Sequence, residues 1–513
     1  MTTGDATTAP KETAAPARHS RLGARELLER VLDADSWESW DGPPEQPEGI
    51  SAEYQRDLDE AQRRAGTDEA VITGSGTIGG RRVAVMAGEF RFLAGSIGQA
   101  ASARLVAAVE RATREGLPLM AAPASGGTRM QEGTPAFVGM VKVAAAVTRH
   151  KSAGLPYVVY LRHPTTGGVF ASWGSLGHFT AAEPGALIGF LGPRVYEALY
   201  GTAFPEGVQR SENLVARGLI DATLEVDQLA SVAGEILDIL MTPRERLPEL
   251  SELPKGELAD LSAWESIQRS RRPERPGVRT LLRLAASSVI PLSGTGEGEM
   301  DRSVLLALVK FGETPCILLG QDRRQQTEGH PLGPAALREA RRGMRLAKEL
   351  QLPLVSVIDT AGADLSRAAE EGALAGEIAR CLSDLVTLDA PTVSLLLGEG
   401  TGGGALALLP ADRVVCAEHA WLSPLPPEGA AAIVHRDPAR APEMAEAQQV
   451  RSVDLLRLGI VDRVVAEPVD AADDPVAFCQ RVAHVLRYEI GQTVHEDQAG
   501  RLARRTARYA ALG

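Results

Sequence analysis

Two glycine-rich turns, one in each half of the chain, have the residue types to bind an anion through the backbone. Gly167 and Gly168 follow the apolar run 157–160, and Gly403 and Gly404 follow a similar run. The first N–H groups of a helix lack internal partners, and glycine lets a ligand oxygen come close to them. Two such groups that point at one atom form an oxyanion hole. The alternative is that the glycines only permit close packing of a strand against a helix.

The second turn also contains G-x-G-x-x-G, the fingerprint of a dinucleotide-binding loop, at Gly398, Gly400 and Gly403. In that fold the glycines open a crossover helix of about a dozen residues within a βαβ unit. Only about eight residues separate this turn from the next apolar run, 413–416, and the other half lacks the fingerprint. A dinucleotide site is therefore disfavoured.

Side chains that usually perform acid–base or metal chemistry are sparse near the turns. The sequence has no H-E-x-x-H motif, no closely spaced His and Cys cluster and no G-x-S-x-G elbow. His163 precedes the first glycine pair and is the histidine best placed to approach a site. The four cysteines are far apart and predict buried thiols in a reducing compartment, so we expect a cytoplasmic protein that binds no metal.

The elements that must position the turns occur twice in the sequence. Leu117 and Leu352 begin similar segments 235 positions apart, and Gly167 and Gly403 lie 236 positions apart. Each half alternates short β-type runs with amphipathic stretches, which is typical of α/β units. The sequence therefore predicts two copies of one α/β domain.

One predicted helix, Pro334–Leu350, is unusually basic for an acidic chain. Its basic side chains surround an apolar stripe of Leu337, Ala340, Met344 and Ala347. The basic face is either a solvated surface or a contact surface for phosphates or an acidic partner domain.

The chain divides into four predicted segments. Residues 1–22 predict a disordered tail, 23–240 a first domain, 241–275 a charged linker that contains prolines, and 276–513 a second domain. The net charge of −13 argues against nucleic-acid binding. No apolar run reaches the roughly 18 residues of a membrane span, so we expect no membrane partner.

Long stretches of both halves resemble one enzyme family. The run GLPYVVYLRHPTTGGVFASWGSLGHFTAAEPGALIGFLGPRVYEAL resembles the carboxyltransferase β subunit of acetyl-CoA carboxylase, and GEGTGGGALAL with LPPEGAAAIV resembles its α subunit. The whole chain, over about residues 65–490, resembles a fused β–α acyl-CoA carboxylase carboxyltransferase. The resemblance implies two tandem crotonase-like β–β–α superhelix domains.

The resemblance also implies a reaction and its partners. Carboxybiotin, carried on a separate biotin carboxyl carrier protein or biotin carboxylase subunit, gives CO2 to the α-carbon of an acyl-CoA, for example acetyl-CoA to malonyl-CoA. The first domain then holds the acyl-CoA and the second holds biotin. Each site forms between the first domain of one protomer and the second domain of another, which implies a homo-oligomer, a dimer or a hexamer.

The family's functional positions carry over by motif. The implied backbone donors are two pairs, Gly167 with Gly168 and Gly404 with Ala405. The implied substrate-binding residues are Ser125, Gly126, Gly127, Arg129, Gly362 and Gly403.

The sequence departs from the family in two places. It lacks the four-cysteine zinc ribbon of many β subunits, so we predict no zinc. The α-type motif D-T-P-G-A-Y-P-G is replaced by DTAGADLS at 359–366, which puts the biotin side or the acyl pocket in doubt. Two alternatives therefore stay open: a decarboxylase of carboxyacyl-CoA thioesters, and a structural paralogue in a carboxylase complex that has lost its activity. The sequence does not reveal the acyl chain length.

Overall fold

Each half of the chain forms an α/β unit in the computed structural model, which describes residues 22–243, 247, 250–251, 256–327 and 330–511. The predicted disordered tail, 1–22, lies outside these residues except for Leu22.

The first unit contains eight helices and nine strands among the described residues. In chain order they are α1 Ala24–Val31, β1 Glu38–Ser39, α2 Ala52–Ala65, β2 Val71–Ile78, β3 Arg81–Gly88, α3 Gln99–Arg114, β4 Leu119–Ala122, α4 Gly133–Ser152, β5 Tyr157–Leu161, β6 Thr165–Thr166, α5 Gly167–Phe170, β7 Phe179–Ala182, β8 Ile188–Gly189, α6 Pro193–Tyr200, α7 Ser211–Ala216, β9 Ala222–Thr223 and α8 Val226–Met241.

The second unit repeats this pattern with additional helices at both ends. In chain order its elements are α9 Ala263–Ser270, α10 Val278–Ala285, β10 Ser288–Leu292, β11 Val304–Phe311, β12 Thr314–Gln321, α11 Pro334–Leu350, β13 Leu354–Thr360, α12 Arg367–Glu371, α13 Leu374–Thr387, β14 Thr392–Thr401, α14 Gly402–Leu406, β15 Arg413–Ala417, β16 Trp421–Ser423, α15 Pro427–Val434, α16 Ala441–Ala447, α17 Ser452–Arg457, β17 Arg463–Val465, α18 Pro475–Val494 and α19 Gln498–Ala510.

Both main sheets follow one plan. The strand order is β1-β2-β3-β4-β5-β7-β9 in the first and β10-β11-β12-β13-β14-β15-β17 in the second, with β16 beside β14. The first three strands of each sheet are antiparallel and the others are parallel. The central parallel strands are buried along their whole length, as expected where helices cover both faces of a sheet. The predicted duplication is therefore present in the fold.

The basic helix predicted at Pro334–Leu350 is confirmed as α11, with the same bounds. Its apolar stripe is buried because the four side chains recur every three or four residues on the face that packs on the sheet. Proline at its first position is favoured, since the N–H that proline lacks would have no partner there.

The two units share one packed interior. Helix α8 of the first unit packs on β10 and β11 of the second, and one buried apolar cluster contains side chains of both. A charged contact crosses the same boundary, because Arg342 on α11 donates to the Asp221 carboxylate at 2.8 and 3.1 Å. At Arg342, the basic helix face therefore contacts an acidic group of the other domain.

The predicted linker, 241–275, is only in part a connection. Helix α9 lies within it, and Ala263 packs into a cluster with Trp421 of the second unit. Arg275 is buried and donates to the Glu467 carboxylate at 2.6 and 2.7 Å. The predicted linker therefore contributes α9 and Arg275 to the packing of the second unit.

All four cysteines are buried and free, as predicted. Burial raises the pKa of the Cys381 thiol to about 12. Within the described ranges, no helix is long and apolar enough to cross a bilayer.

Candidate active site

The first glycine turn sits between a short strand and a short helix. Thr166 of β6 pairs with β8, and Gly167 then begins α5 with φ +63°, a conformation that glycine adopts without strain. The Gly167 N–H donates to the Phe190 carbonyl at 2.9 Å. In a helix that begins at Gly167, the N–H groups of Gly168 and Val169 have no acceptor within the helix. These two groups are the candidate donors of the first turn.

A second glycine loop lies directly against this turn. Gly127 has φ +114°, and a Cβ added there would lie 3.5 Å from Gly167 Cα and 3.7 Å from Gly168 N. The Ser125 hydroxyl shapes the loop, since it accepts from the Gly127 N–H at 3.0 Å and donates to the Gly95 carbonyl at 2.5 Å. The absence of a side chain at Gly127 therefore leaves free the space beside the Gly168 nitrogen.

Gly126 belongs to the same loop and is anchored by its backbone. Its N–H donates to the Ala94 carbonyl at 2.9 Å, and the neighbouring Ser125 forms a bridge with Thr165 of β6. The structure thus brings together Ser125, Gly126, Gly127, Gly167 and Gly168.

The second turn reproduces the first in detail. Thr401 of β14 pairs with β16, and Gly402 then begins α14 with φ +64°. Gly362 has φ +137°, and its N–H donates to the Thr360 hydroxyl at 3.1 Å, just as the Gly127 N–H donates to Ser125. A Cβ added at Gly404 would lie 3.5 Å from the Ala363 N, so this loop also faces the helix start.

The equivalence between the two turns corrects the sequence-based pairing by one residue. Ser125 and Thr360, and Gly127 and Gly362, lie 235 positions apart, and so do the two glycines that begin the helices. Gly167 therefore corresponds to Gly402, whereas the sequence pairing had matched it to Gly403. A run of three glycines has no side chains that could fix the alignment.

Two of the four implied donors do not have free N–H groups by this geometry. Gly167 uses its N–H for the Phe190 carbonyl. Ala405 is the fourth residue of α14, the first position at which the helical pattern directs an N–H to a carbonyl, that of the N-cap residue Thr401. The candidate donors of the second turn are therefore the N–H groups of Gly403 and Gly404.

Arg129, a predicted substrate-binding residue, is an internal anchor. Its side chain is fully buried and forms a bidentate ion pair with the fully buried Glu69, and it also donates to the Ser96 carbonyl at 2.7 Å. Burial alone would lower the pKa of Arg129, but the hydrogen bonds and charge of Glu69 outweigh it and raise the pKa. The guanidinium therefore fixes the loop after Gly127 and has no exposed face for a ligand phosphate.

His163 supports the first turn. The imidazole Nδ1 accepts from the Leu187 N–H at 3.0 Å. The backbone N–H of His163 donates to the Glu183 carboxylate at 2.7 Å. An imidazole nitrogen that accepts a backbone N–H cannot carry a proton at the same time. The Nδ1 atom is thus engaged within the fold.

A buried charge cluster lies behind the second turn. Asp359 is fully buried, and burial raises the pKa of its carboxyl, although the nearby Arg323 guanidinium at 3.5 Å opposes the shift. Arg323 also pairs with Glu399 at 3.1 Å, and Glu399 pairs with Arg271 at 3.0 Å. Two carboxylates thus alternate with two guanidinium groups, and their charges balance at the carboxyl ends of β13 and β14. The altered 359–366 segment begins at this cluster.

Two side chains that no sequence motif indicated bind carbonyl groups of the two turns. The Ser172 hydroxyl donates to the Gly168 carbonyl at 2.5 Å, and the Gln321 amide donates to the Gly404 carbonyl at 2.7 Å. Ser172 lies one helical turn after Gly168, so its spacing was a usable signal. Gln321 is 83 positions from Gly404, and no local pattern connects them.

Both domains carry exposed apolar side chains. In the first domain they include Met130, Phe137, Val141 and Phe190, whose carbonyl accepts the Gly167 N–H, and in the second Leu365, Leu406 on α14 and Ile433 on α15. Met130 is 83% exposed and Leu365 is 88% exposed. Within the part of the chain that the structure describes, no group of three or more His, Cys, Asp and Glu side chains is arranged to hold a metal.

Comparison with known proteins identifies the class to which this fold and these turns belong. A model of the carboxyl transferase domain matches residues 19–501. The chain therefore belongs to the carboxyl transferase family and is an enzyme of carboxyl transfer.

Individual proteins similar to this chain indicate the type of carboxyl transferase more closely. The probable biotin-dependent acyl-coenzyme A carboxylase beta3 subunit of Mycobacterium bovis is 56% identical over 494 residues, which cover 96% of this chain and 99% of that protein. The acetyl-coenzyme A carboxylase carboxyl transferase subunits beta/alpha of Salinispora tropica are 36% identical over 521 residues, 96% of this chain and 91% of theirs. The crystal structure of transcarboxylase 12S with methylmalonyl-coenzyme A superposes with a TM-score of 0.70 at 22% identity, over 90% of this chain and 89% of that one. The predicted fold, two tandem crotonase-like domains, is confirmed.

Proposed function

We propose that the protein is the carboxyltransferase component of a biotin-dependent acyl-CoA carboxylase. It moves CO2 from carboxybiotin on a carrier protein to the α-carbon of an acyl-CoA, such as acetyl-CoA. The observation that carries this proposal is the pair of equivalent turns, each with two helix N–H groups behind a side-chain-free loop. Carboxyl transfer between these two substrates produces two anions, so two oxyanion holes suit it.

In the first domain, the N–H groups of Gly168 and Val169 stabilise the thioester oxygen of the acyl-CoA as it becomes an enolate. A helix N-terminus favours negative charge, and its N–H groups need no reorganisation when that charge develops. The loop at Gly127 leaves the approach to Gly168 open, which supports the fit of a carbonyl oxygen there.

In the second domain, the N–H groups of Gly403 and Gly404 stabilise the ureido oxygen of biotin. When bound, carboxybiotin supplies CO2 and, once decarboxylated, accepts the α-proton of the acyl-CoA. The chain's own contribution is to hold and polarise the ureido oxygen. Gly362 supports this fit, since its φ of +137° excludes a side chain from the loop that faces α14.

The complete site forms between two protomers. The exposed apolar side chains of the first domain and those of the second would cover each other if the first domain of one protomer met the second domain of another. Large exposed apolar patches mark protein–protein interfaces in soluble proteins. We therefore propose a homo-oligomer, a dimer or a hexamer, that works with a separate biotinylated partner.

The reverse reaction tests the function without a partner protein. Purified protein is mixed with free biotin or biocytin and a panel of malonyl-, methylmalonyl- and longer carboxyacyl-CoAs, and formation of the decarboxylated CoA thioester is followed. We expect turnover that requires biotin, and the best substrate sets the acyl chain length.

Three other outcomes contradict the proposal in different ways. Turnover that does not require biotin would assign the protein as a decarboxylase. A folded protein that binds CoA without turnover of any thioester would support the structural role. A folded protein that neither binds CoA nor converts any carboxyacyl-CoA would contradict the roles proposed for both domains.

A further inference from the structure

We propose that Gln321 is a positioning residue of the second oxyanion hole, on which biotin-side chemistry depends. This inference rests on the proposed function and adds a residue that no glycine motif contains. Gln321 ends β12 and is fully buried. Its side-chain amide connects the two parts of the second turn, the end of β13 and the helix α14.

Both hydrogen bonds of the amide are defined by their partners. Nε2 donates to the Gly404 carbonyl at 2.7 Å, and Oε1 accepts from the Asp359 N–H at 3.1 Å. A carbonyl can only accept and a backbone N–H can only donate, so the orientation of the amide is unambiguous. A buried amide with both bonds satisfied holds its two partners at a fixed separation.

The bond to Gly404 acts on the hole itself. Because a peptide group is planar, a fixed Gly404 carbonyl also fixes the plane that it shares with the Ala405 N–H. Helix α14 has only five residues, so its own ladder provides little rigidity. Gln321 therefore anchors the carbonyl end of Gly404, one of the two residues whose N–H groups form the proposed hole, and limits how far this short helix start can shift.

The bond to Asp359 acts on the loop in front of the hole. Asp359 is followed by Thr360, whose hydroxyl bonds the Gly362 N–H and whose backbone continues into the loop. Gln326 also accepts from the Thr360 hydroxyl, at 2.7 Å. Gln321 thus ties the helix of the turn to the loop that faces it.

The first domain has no counterpart of this side chain. Ile317 pairs with Leu354 across β12 and β13, as Ala84 pairs with Leu119 across β3 and β4. Gln321 lies four residues after Ile317, and Gly88 lies four residues after Ala84. Gly88 is therefore the residue of the first domain that is equivalent to Gln321.

Gly88 has no room for a side chain, because a Cβ there would lie 2.6 Å from the Ala124 N. In the first turn a hydroxyl from the same segment acts instead, since Ser172 donates to the carbonyl of Gly168, the residue equivalent to Gly403, at 2.5 Å. The two holes are therefore held by different devices, and Gln321 serves the second hole alone.

This asymmetry gives a kinetic test in the reverse assay with biocytin. Gln321→Met keeps the side-chain volume and removes both hydrogen bonds. We expect kcat to fall by about 10- to 100-fold and the KM for biocytin to rise, since small misplacements of catalytic groups have effects of this size. The KM for the carboxyacyl-CoA should change by less than about twofold, because that substrate binds the first domain.

A matched control removes a similar bond outside the hole. The Ser356 hydroxyl is buried and donates to the Leu408 carbonyl at 2.9 Å, four residues beyond Gly404. Ser356→Ala should lower the melting temperature while leaving kcat and both KM values near those of the wild type. If Gln321→Met behaves in the same way, its role is only structural and the proposal is wrong.

A second variant decides the matter if Gln321→Met does not fold. In Gln321→Glu the carboxyl can donate to the Gly404 carbonyl only when protonated. The charged groups around the neighbouring Asp359 are Arg323, Glu399 and Arg275. We expect the activity of the Glu variant, relative to the wild type, to increase as the pH falls; a constant ratio near one overturns the proposal. A wild type without biotin-dependent turnover would instead refute the proposed function.

Discussion

Arg342 of the second domain donates to both carboxylate oxygens of Asp221 in the first, and both side chains are almost fully buried. Asp221 also accepts N–H groups from Thr180 at 2.8 Å and Ser293 at 2.9 Å. One carboxylate thus connects a strand of the first sheet, the segment that follows β10 in the second domain and the helix α11. The two domains are locked together at this point.

Removal of the Arg342 guanidinium should lower the free energy of unfolding strongly. Arg342→Met leaves the buried Asp221 without its ionic partner, and breaking a buried pair in this way typically costs about 3–5 kcal/mol. The free energy of unfolding, measured with a chemical denaturant, should fall by that amount. Arg345→Met on the same helix is the control, because Arg345 is about half exposed and 3.7 Å from Glu297. Its loss should be below about 1 kcal/mol, and equal losses for both variants would contradict the assignment.

The proposed oxyanion hole of the first domain can be tested by removal of one N–H donor. Gly168→Pro deletes an N–H group in the first turn of α5, where proline is compatible with a helix. We expect kcat in the biocytin assay to fall by about 100- to 1,000-fold in a protein that still folds. Gln498→Pro, at the exposed start of α19, is the matched proline control and should keep full activity. Full activity of Gly168→Pro would show that this N–H is not a donor.

The open space before that donor can be tested with one methyl group. Gly127→Ala places a Cβ 3.7 Å from Gly168 N, and Gly79→Ala, at φ +56°, places one in open space. Both variants should lose about 1–2 kcal/mol of stability through backbone strain. Only Gly127→Ala should also lose kcat, by at least about 10-fold, because its methyl group would lie beside the N–H group proposed to bind the substrate oxygen. Comparable kcat values for the two variants would argue against a ligand at this turn.

The stability of the fold should depend on pH through one buried histidine. Burial lowers the pKa of His150 from 6.5 to about 4, so between these values the unfolded chain binds a proton that the folded chain does not. This contribution to stability is complete above about pH 6.5 and is lost as the pH falls towards 4. At ~1.4 kcal/mol per unit, the loss is about 3 kcal/mol.

Denaturant titrations at several pH values between 4 and 7 can isolate this contribution. The curve for His150→Gln should be flatter than the wild-type curve over this range, because glutamine does not titrate. Parallel curves for the two proteins would exclude His150 as the cause.

Much of the fold could be predicted from local sequence pattern. The duplication was visible because similar segments recur in one order, and α11 was predicted to the residue because proline marks its start and an apolar stripe runs its length. The glycine turns were found for the same reason, since a strand followed by two glycines is a local signal. The fold family followed from the longer motifs around them.

The errors arose where the structure depends on distant partners or on residues without side chains. Arg129 was expected to face a ligand, but it pairs with Glu69, 60 positions away. The helix α14 starts one residue earlier than the sequence pairing implied, since three successive glycines look alike. Gln321 was overlooked because its partners lie on β13 and α14, and only the folded domain brings them together.

The packing of α8 on β10 and β11 has a consequence for the order of folding. On the ribosome, α8 emerges before either strand, and domains generally fold from the N-terminus as synthesis proceeds. A first unit that folds in this order offers α8 as a surface on which β10 and β11 of the second unit can assemble. The copy that is synthesised first would then serve as an intramolecular template for the second.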